Sequence, residues 1–151
     1  MNETPAVAPG PATNRAILEL ETVEGARMRF AARVGEHSFL FDSGAEAEGP
    51  TPMQAVMAAL GGCTAMDVIS ILRKKRQAVT GYEVEVVGER RTDQHPKVFT
   101  RLEVVHRVRG HGISEAAVAE AIRLSDTRYC PVHAMLGSAV AITSRYEIEE
   151  G

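Results

Sequence analysis

The stretch "TPMQAVMAALGGCTAMDVISILRKKR" (residues 51–76) decides the fold. Its apolar residues cover most of the circumference of a helix, which predicts a long helix buried on several sides. Thr51 suits the N-cap of this helix, and Pro52 suits its first turn. The basic run at residues 73–76 places cations at the carboxyl end, where the helix dipole favours them. The central element of the fold is therefore expected to be one long core helix.

A membrane span is the alternative interpretation of this helix, because its length and its basic flank fit one. Four polar residues along the apolar stretch argue against it: Gln54, Thr64, Asp67 and Ser70. A second apolar stretch of comparable length is absent from the sequence. We therefore expect a buried helix in a soluble protein and no membrane partner.

Strand and helix patterns on both sides of the long helix predict an α+β fold with antiparallel sheet. Three short alternating strands precede the helix, and two long strands, a second helix, a short third helix and a closing strand follow it. The predicted ranges are 16–23, 27–34 and 37–42 before the helix, then 82–91, 97–110, 114–129, a helix from Pro131, and 139–149. The first 14 residues are rich in Pro, Ala and Gly, which predicts a disordered lead-in to a single domain over 15–151.

Composition excludes several function classes. A net charge of -3 and an aromatic content of 5% argue against a nucleic-acid partner, which would favour a basic face and stacking platforms. The amino terminus lacks the basic and apolar regions of a secretory signal. Two cysteines in 151 residues are too few for a disulfide scaffold, and they suit a reducing compartment. We expect a cytoplasmic protein.

The two cysteines, Cys63 and Cys130, are 67 positions apart, which rules out a CxxC redox pair and a zinc site made of two such pairs. A structural zinc site needs four ligands and would have to recruit histidines. Of the five histidines, His133 alone lies near a cysteine in the sequence. The sequence therefore predicts neither a metal nor a cofactor.

The segment "YCPVH" (129–133) is the first candidate for sulfur chemistry. Pro131 fits the first position of a helix, which places Cys130 at or near its N-cap. The dipole and free N–H groups there stabilise a thiolate, the reactive form of cysteine. A partly buried, inert thiol is the alternative. His133 is either a general acid or cation that supports Cys130, or a ring that faces solvent.

Cys63 is the second candidate, and it lies in the middle of the long helix. Burial and the carboxylate of Asp67, one turn away, would both raise the pKa of its thiol. A reactive thiolate there needs a cation, for which Arg27 and Arg29 are candidates. A packed core cysteine and a structural salt bridge of Asp67 are the alternatives. The glycines at 61–62 allow either close packing or access to the sulfur.

Two sequence blocks carry a family resemblance: "TPMQAVMAALGGCTAMDVISILRKKRQ" and "LSDTRYCPVHAML". With the two long strands between them, they resemble the family of osmotically inducible protein C (OsmC) and the organic hydroperoxide resistance proteins (Ohr), in a less characterised branch. The resemblance covers nearly all of the chain after about residue 15. It implies an intertwined homodimer with long central helices between sheets.

The resemblance also implies a thiol peroxidase of organic, lipid-like hydroperoxides that acts in oxidative-stress defence. In that scheme Cys63 attacks the peroxide and becomes a sulfenic acid, Cys130 resolves it as a disulfide, and a dithiol reductant of lipoyl type or a small thiol restores the pair. The family's supporting Arg corresponds to Arg27, with Arg29 as its substitute.

One position departs from the family pattern. The family's Glu at the start of the central helix corresponds to Met53, while Glu46 and Glu48 lie in the preceding loop. This departure favours an alternative function, a non-catalytic protein that binds a small hydrophobic ligand in the dimer cleft. A redox sensor with a regulatory disulfide is a third interpretation. The residues expected to line the binding site are Met53, Met57, Asp67 and His133.

Overall fold

A computed structural model describes residues 14–21, 25 and 28–151 of the chain. The predicted lead-in falls almost wholly outside these residues and stays a prediction. The chain divides into two units at Pro52, with Met53–Gly151 forming the second unit.

The first unit is built around a three-stranded antiparallel sheet. Strand β1 (Ala16–Leu20) pairs with β2 (Phe30–Val34), and β2 pairs with β3 (His37–Phe41). The β2–β3 connection turns through Gly35, whose φ of 60° lies in the left-handed region that glycine adopts without a steric penalty. The three predicted strands are confirmed, with shorter ends than the sequence pattern suggested.

The second unit combines helices with a second three-stranded sheet, which confirms the α+β prediction. Its elements follow the predicted order along the chain. They are α1 (Pro52–Lys74, which begins at the unit boundary), β4 (Ala78–Arg90), β5 (Phe99–His111), α2 (Glu115–Leu124), a π-helical turn (Ser125–Tyr129), α3 (Pro131–Gly137) and β6 (Ala141–Glu150).

Strand β6 departs from the expected antiparallel sheets. The sheet order is β4-β5-β6, and β4 and β5 are antiparallel, but β6 runs parallel to β5 with Arg101 opposite Ala141. The chain between them passes through α2, the π-helical turn and α3, and a crossover of this kind brings the next strand back in the same direction.

Helix α1 packs its inward face against the second sheet. Residues spaced by three or four positions form this face, which puts them on one side of the helix. Leu60 joins a core cluster with Phe99 and Leu102, and further along the helix Val68 joins a second cluster. The buried positions of α1 are Leu60, Gly61, Thr64, Val68 and Leu72.

The prediction that α1 is buried on several sides is wrong for the single chain. Met66 points away from the packed face and is 76% exposed. By length and composition α1 could cross a membrane. Its buried face against the sheet is typical of a core helix instead.

Candidate functional site

The structure brings Cys63 and Cys130 together. Cys63 lies on α1, and Cys130 lies between the π-helical turn and α3, so the fold closes the gap that separates them in sequence. The two sulfur atoms and one carboxylate oxygen of Asp67 all lie within 4.8 Å of one another. Cys63 and Asp67 share a face of α1 because they are four residues apart. We call these three residues the thiol cluster.

Cys130 caps the amino end of α3, as predicted. Its backbone is extended, with φ -74° and ψ 105°, and its sulfur accepts a hydrogen bond from the backbone N–H of His133 at 3.3 Å. Pro131 occupies the first turn of the helix. The local sequence therefore fixes the direction in which this thiol points.

The expectation of a stabilised thiolate at Cys130 is wrong. Burial, to 3% exposure, is the largest cause and a hydrogen bond that the thiol donates to the Cys63 sulfur is the second; the pKa of the Cys130 thiol is raised to about 11. The backbone N–H of His133 lowers the pKa, but by less than these two effects. Cys63 is half-buried. The two thiols therefore differ in accessibility.

A hydroxyl group anchors Asp67, and the part of the chain that the structure describes forms no salt bridge with it of the kind that the sequence suggested. The Ser125 hydroxyl lies 3.0 Å from the Asp67 carboxylate and 2.9 Å from the Thr64 hydroxyl. A hydroxyl has one proton, and a hydrogen bond to a charged acceptor is the stronger one. Ser125 therefore donates to Asp67 and accepts from Thr64. This chain ties α1 to the π-helical turn that leads to Cys130.

The side chain of His133 faces a carboxylate, which makes the solvent-facing interpretation wrong. Its Nδ1 lies 3.1 Å from Oδ1 of Asp126, and the two side chains are 17% and 20% exposed. The two atoms lack the alignment of a hydrogen bond, so their attraction is that of an ion pair when the ring is protonated. The pair links the π-helical turn to α3 on the two sides of Cys130, which holds that thiol in place.

A buried Tyr82–His106 pair was missed by sequence reasoning. The Tyr82 hydroxyl lies 2.7 Å from Nδ1 of His106, whose side chain is fully buried. Burial lowers the pKa of His106 to about 4, although the charge of Asp126 partly opposes it. Burial and the same charge raise the pKa of Tyr82. The sequence did contain a sign that His106 is buried. Side chains alternate between the two faces of a strand, so His106 shares the face of β5 that carries Leu102 and Val104.

Two methionines predicted to line the binding site belong to the core. Met53 and Met57 pack against the cluster around Leu60. Met57 also borders a small cavity of about 210 Å³ against β4. The position that resembles the family's Glu is therefore filled by a packing residue.

The two glycines before Cys63 have different surroundings. A Cβ on Gly61 would lie 3.0 Å from the Val86 side chain, so the missing side chain allows α1 to approach β4 closely. A Cβ on Gly62 would meet no atom within 4 Å. Close packing therefore explains Gly61, whereas the space beside Gly62 is open.

The predicted arginine support stays a prediction. Arg27 lies outside the described residues. Arg29 forms ion pairs inside the first unit, at 2.5 Å with Glu21 and also with Glu48. Glu48 in turn donates its backbone N–H to the Asp42 carboxylate at 3.0 Å.

A cavity of about 370 Å³ adjoins the thiol cluster through Asp67. Its wall combines apolar side chains with two lysines, the last residue of α1 and the residue after it. The lining residues are Asp67, Ser70, Ile71, Lys74, Lys75, Leu124 and Tyr129. This cavity offers space for a small, partly apolar molecule beside the thiol cluster.

Comparison with known proteins identifies the family. Residues 44–145, which include both cysteines, match the OsmC-like protein family. The chain belongs to the OsmC-like family. This OsmC-like protein is 44% identical to protein YhfA of Escherichia coli (strain K12) over 112 residues, 74% of this chain and 83% of YhfA.

Solved structures share the fold of this OsmC-like protein. A hypothetical protein from Aquifex aeolicus VF5 superposes with a TM-score of 0.82 at 26% identity, covering 93% of this chain and 99% of that one. The organic hydroperoxide resistance protein OhrB of Bacillus subtilis superposes with a TM-score of 0.61 at 13% identity, covering 90% and 98%. The likeness to OhrB concerns the fold alone.

Proposed function

We propose that this OsmC-like protein is a cysteine-dependent peroxidase that reduces organic, lipid-like hydroperoxides in oxidative-stress defence. The observation that carries the proposal is the meeting of Cys63 and Cys130 within 4.8 Å, although 67 positions separate them in sequence. The family and the organic hydroperoxide resistance named for OhrB support a redox or peroxide-related role. The proposal includes a homodimer in the cytoplasm.

The first chemical step belongs to Cys63, because it is the more exposed of the two cysteines. The Cys63 thiolate attacks the distal oxygen of the hydroperoxide, the O–O bond breaks, and the alkoxide takes a proton to leave as an alcohol. Cys63 is oxidised by two electrons to a sulfenic acid, and the peroxide is reduced by two.

The second step belongs to Cys130. Its sulfur attacks the Cys63 sulfenic acid, the S–O bond breaks, and the hydroxide leaves as water with the proton of the Cys130 thiol. A disulfide needs a sulfur separation of about 2.0 Å, so the pair must close from its present separation of up to 4.8 Å. A dithiol of lipoyl type or a small thiol then reduces the disulfide.

A second candidate function is the binding of a small hydrophobic ligand in a dimer cleft without catalysis. Met53 favours it, because the position that resembles the family's Glu carries an apolar side chain packed against the Leu60 cluster. In this case Cys63 would be a wall residue of the cleft.

Steady-state kinetics separate the two functions. Purified protein, Cys63→Ser and Cys130→Ser are each mixed with cumene hydroperoxide and a dithiol, and peroxide loss is followed. The peroxidase proposal expects turnover by the wild type and loss of turnover in both variants. Wild-type consumption no faster than that of Cys63→Ser would leave the ligand-binding function as the better account.

A further inference from the structure

We propose that the reduced protein binds one zinc ion through the Cys63 sulfur, the Cys130 sulfur and the Asp67 carboxylate. This inference does not depend on peroxidase activity, because it concerns the reduced thiol cluster before any oxidant arrives. The sequence argued against a metal site because the cysteines are far apart and histidines were the expected partners. The fold supplies a carboxylate instead.

The geometry of the thiol cluster is close to that of a zinc site. With Zn–S bonds of about 2.3 Å and Zn–O bonds of about 2.1 Å in a tetrahedron, donor atoms lie about 3.6–3.8 Å apart. The three donor atoms here lie within 4.8 Å of one another. Closing the cluster therefore requires movements of about 1 Å, which side-chain torsions of Cys63 and Asp67 provide.

The donor set selects the metal. Two thiolates and one carboxylate suit a borderline-soft ion that accepts both sulfur and oxygen, which describes zinc. Magnesium and calcium prefer a shell made entirely of oxygen atoms. Zinc sites with three protein ligands keep the fourth position for an exchangeable water. The half-buried Cys63 leaves a side of the cluster open for it.

Surrounding hydrogen bonds already orient the proposed ligands. Ser125 donates to the Asp67 carboxylate at 3.0 Å, and Thr64 supports Ser125. The backbone N–H of His133 donates to the Cys130 sulfur at 3.3 Å. Such outer contacts fix ligand direction in metal sites, and their loss typically weakens binding by about 10–100-fold.

Bound zinc would control the redox chemistry of the same thiols, because it occupies the sulfur lone pairs that attack an oxidant. A two-electron oxidant reverses the binding. With diamide as the oxidant, the two zinc-bound thiolates form a disulfide, the N=N bond takes up two electrons and two protons to become a hydrazine, and Zn²⁺ leaves. One zinc is released for each disulfide formed.

Competition titration tests the site. The full-length protein, reduced and freed of metal under anaerobic conditions, is titrated with Zn²⁺ against a chromophoric zinc chelator. The expected result is one zinc per chain. We expect Cys63→Ser and Cys130→Ser each to weaken binding by at least about 100-fold, since each removes one of the three protein ligands. Asp67→Asn should weaken it by about 10-fold or more.

Two controls separate the site from adventitious binding. Asp93→Asn makes the same chemical change at an exposed turn residue and should leave the affinity unchanged. Protein oxidised with diamide should lose the zinc. Circular dichroism checks that each variant is folded. No stoichiometric binding, or affinity that survives both Cys63→Ser and Asp67→Asn, would overturn the zinc site while leaving the peroxidase proposal intact.

Discussion

The two thiols of this protein occupy contrasting regions. Cys63 lies in the middle of a long helix, half-buried, beside Gly62 and the open space next to it. Cys130 lies at the start of a short helix, 3% exposed, in a segment fixed by Ser125 and by the pair of His133 with Asp126. The helix-capping position, which usually activates a thiol, here holds the more buried one, and its pKa is raised.

This contrast shows that burial raises the pKa of a thiol by more than the amino end of a short helix lowers it. One backbone N–H at 3.3 Å lowers the pKa of Cys130, yet burial and the adjacent Cys63 raise it to about 11. The proposed reaction needs an accessible thiol that attacks the peroxide and a second thiol beside it that resolves the sulfenic acid. Cys63 and Cys130 are arranged in this way.

The largest expected effect is on the fate of the sulfenic acid. In Cys130→Ser, one equivalent of hydroperoxide should convert Cys63 to a sulfenic acid that dimedone labels, because the resolving thiol is gone. In Cys63→Ser, labelling should fall to background. Mass spectrometry of the labelled peptides measures both. Labelling of Cys130 in the Cys63→Ser variant at the wild-type rate of oxidation would reverse the assigned roles.

The next effect concerns alkylation of the reduced protein. The pKa of Cys130 at about 11, against an ordinary value of 9.0, leaves it with about 100-fold less thiolate near neutral pH than in the unfolded chain. Iodoacetamide should therefore modify Cys130 about 100-fold more slowly in the native protein than in urea, with the native rate rising tenfold per pH unit up to about pH 11. Quantitative peptide mapping gives the alkylation rates. Equal rates in the native protein and in urea would show that the pKa of Cys130 is not raised by the fold.

A third effect is on stability in acid, and it probes the buried core near Asp126. The pKa of His106 is lowered to about 4 from 6.5, so the unfolded chain binds the proton more readily. The free energy of unfolding that comes from keeping the His106 ring neutral is fully present above pH 6.5, and it is lost as the pH falls towards 4. The loss amounts to about 3 kcal/mol.

Urea unfolding at pH 7 and pH 4 measures this loss, with His106→Asn as the control. The asparagine does not titrate and retains a group that can bond to Tyr82. The wild type should lose about 3 kcal/mol more than the variant between the two pH values. Parallel losses in both proteins would show that other groups cause the acid sensitivity.

The smallest effect distinguishes the two glycines before Cys63. Gly62→Ala fills open space and gains helix propensity, so it should raise the free energy of unfolding by about 0.5–1 kcal/mol. Gly61→Ala should gain less, because its Cβ would lie 3.0 Å from Val86. Urea unfolding of both variants gives the difference, and an equal gain at both positions would contradict the packing role of Gly61.

Local patterns in the sequence predicted much of the fold. The 51–76 stretch, the alternation of the strands and the cap at Cys130 are each encoded by neighbouring residues, and the described elements agree with them. The parallel direction of β6 was not predictable in this way, because it depends on how the chain crosses from β5. The exposed side of α1 depends on how much of the helix one sheet covers.

The candidate site was predicted in part. Sequence motifs pointed to Cys63 and Cys130, but the bonding of Asp67 to Ser125 joins residues 58 positions apart. The pKa of Cys130 depends on burial, which the local cap motif does not report. Tyr82 and His106 come from different strands, and their contact follows from the register of β4 and β5.

The most direct test of the central claim is a single-turnover measurement. Reduced protein is mixed anaerobically with one equivalent of cumene hydroperoxide, without reductant, and both the alcohol product and the cysteine-linked peptides are quantified. The account predicts one alcohol and one Cys63–Cys130 disulfide per chain. Unreacted peroxide with both thiols still free would contradict it.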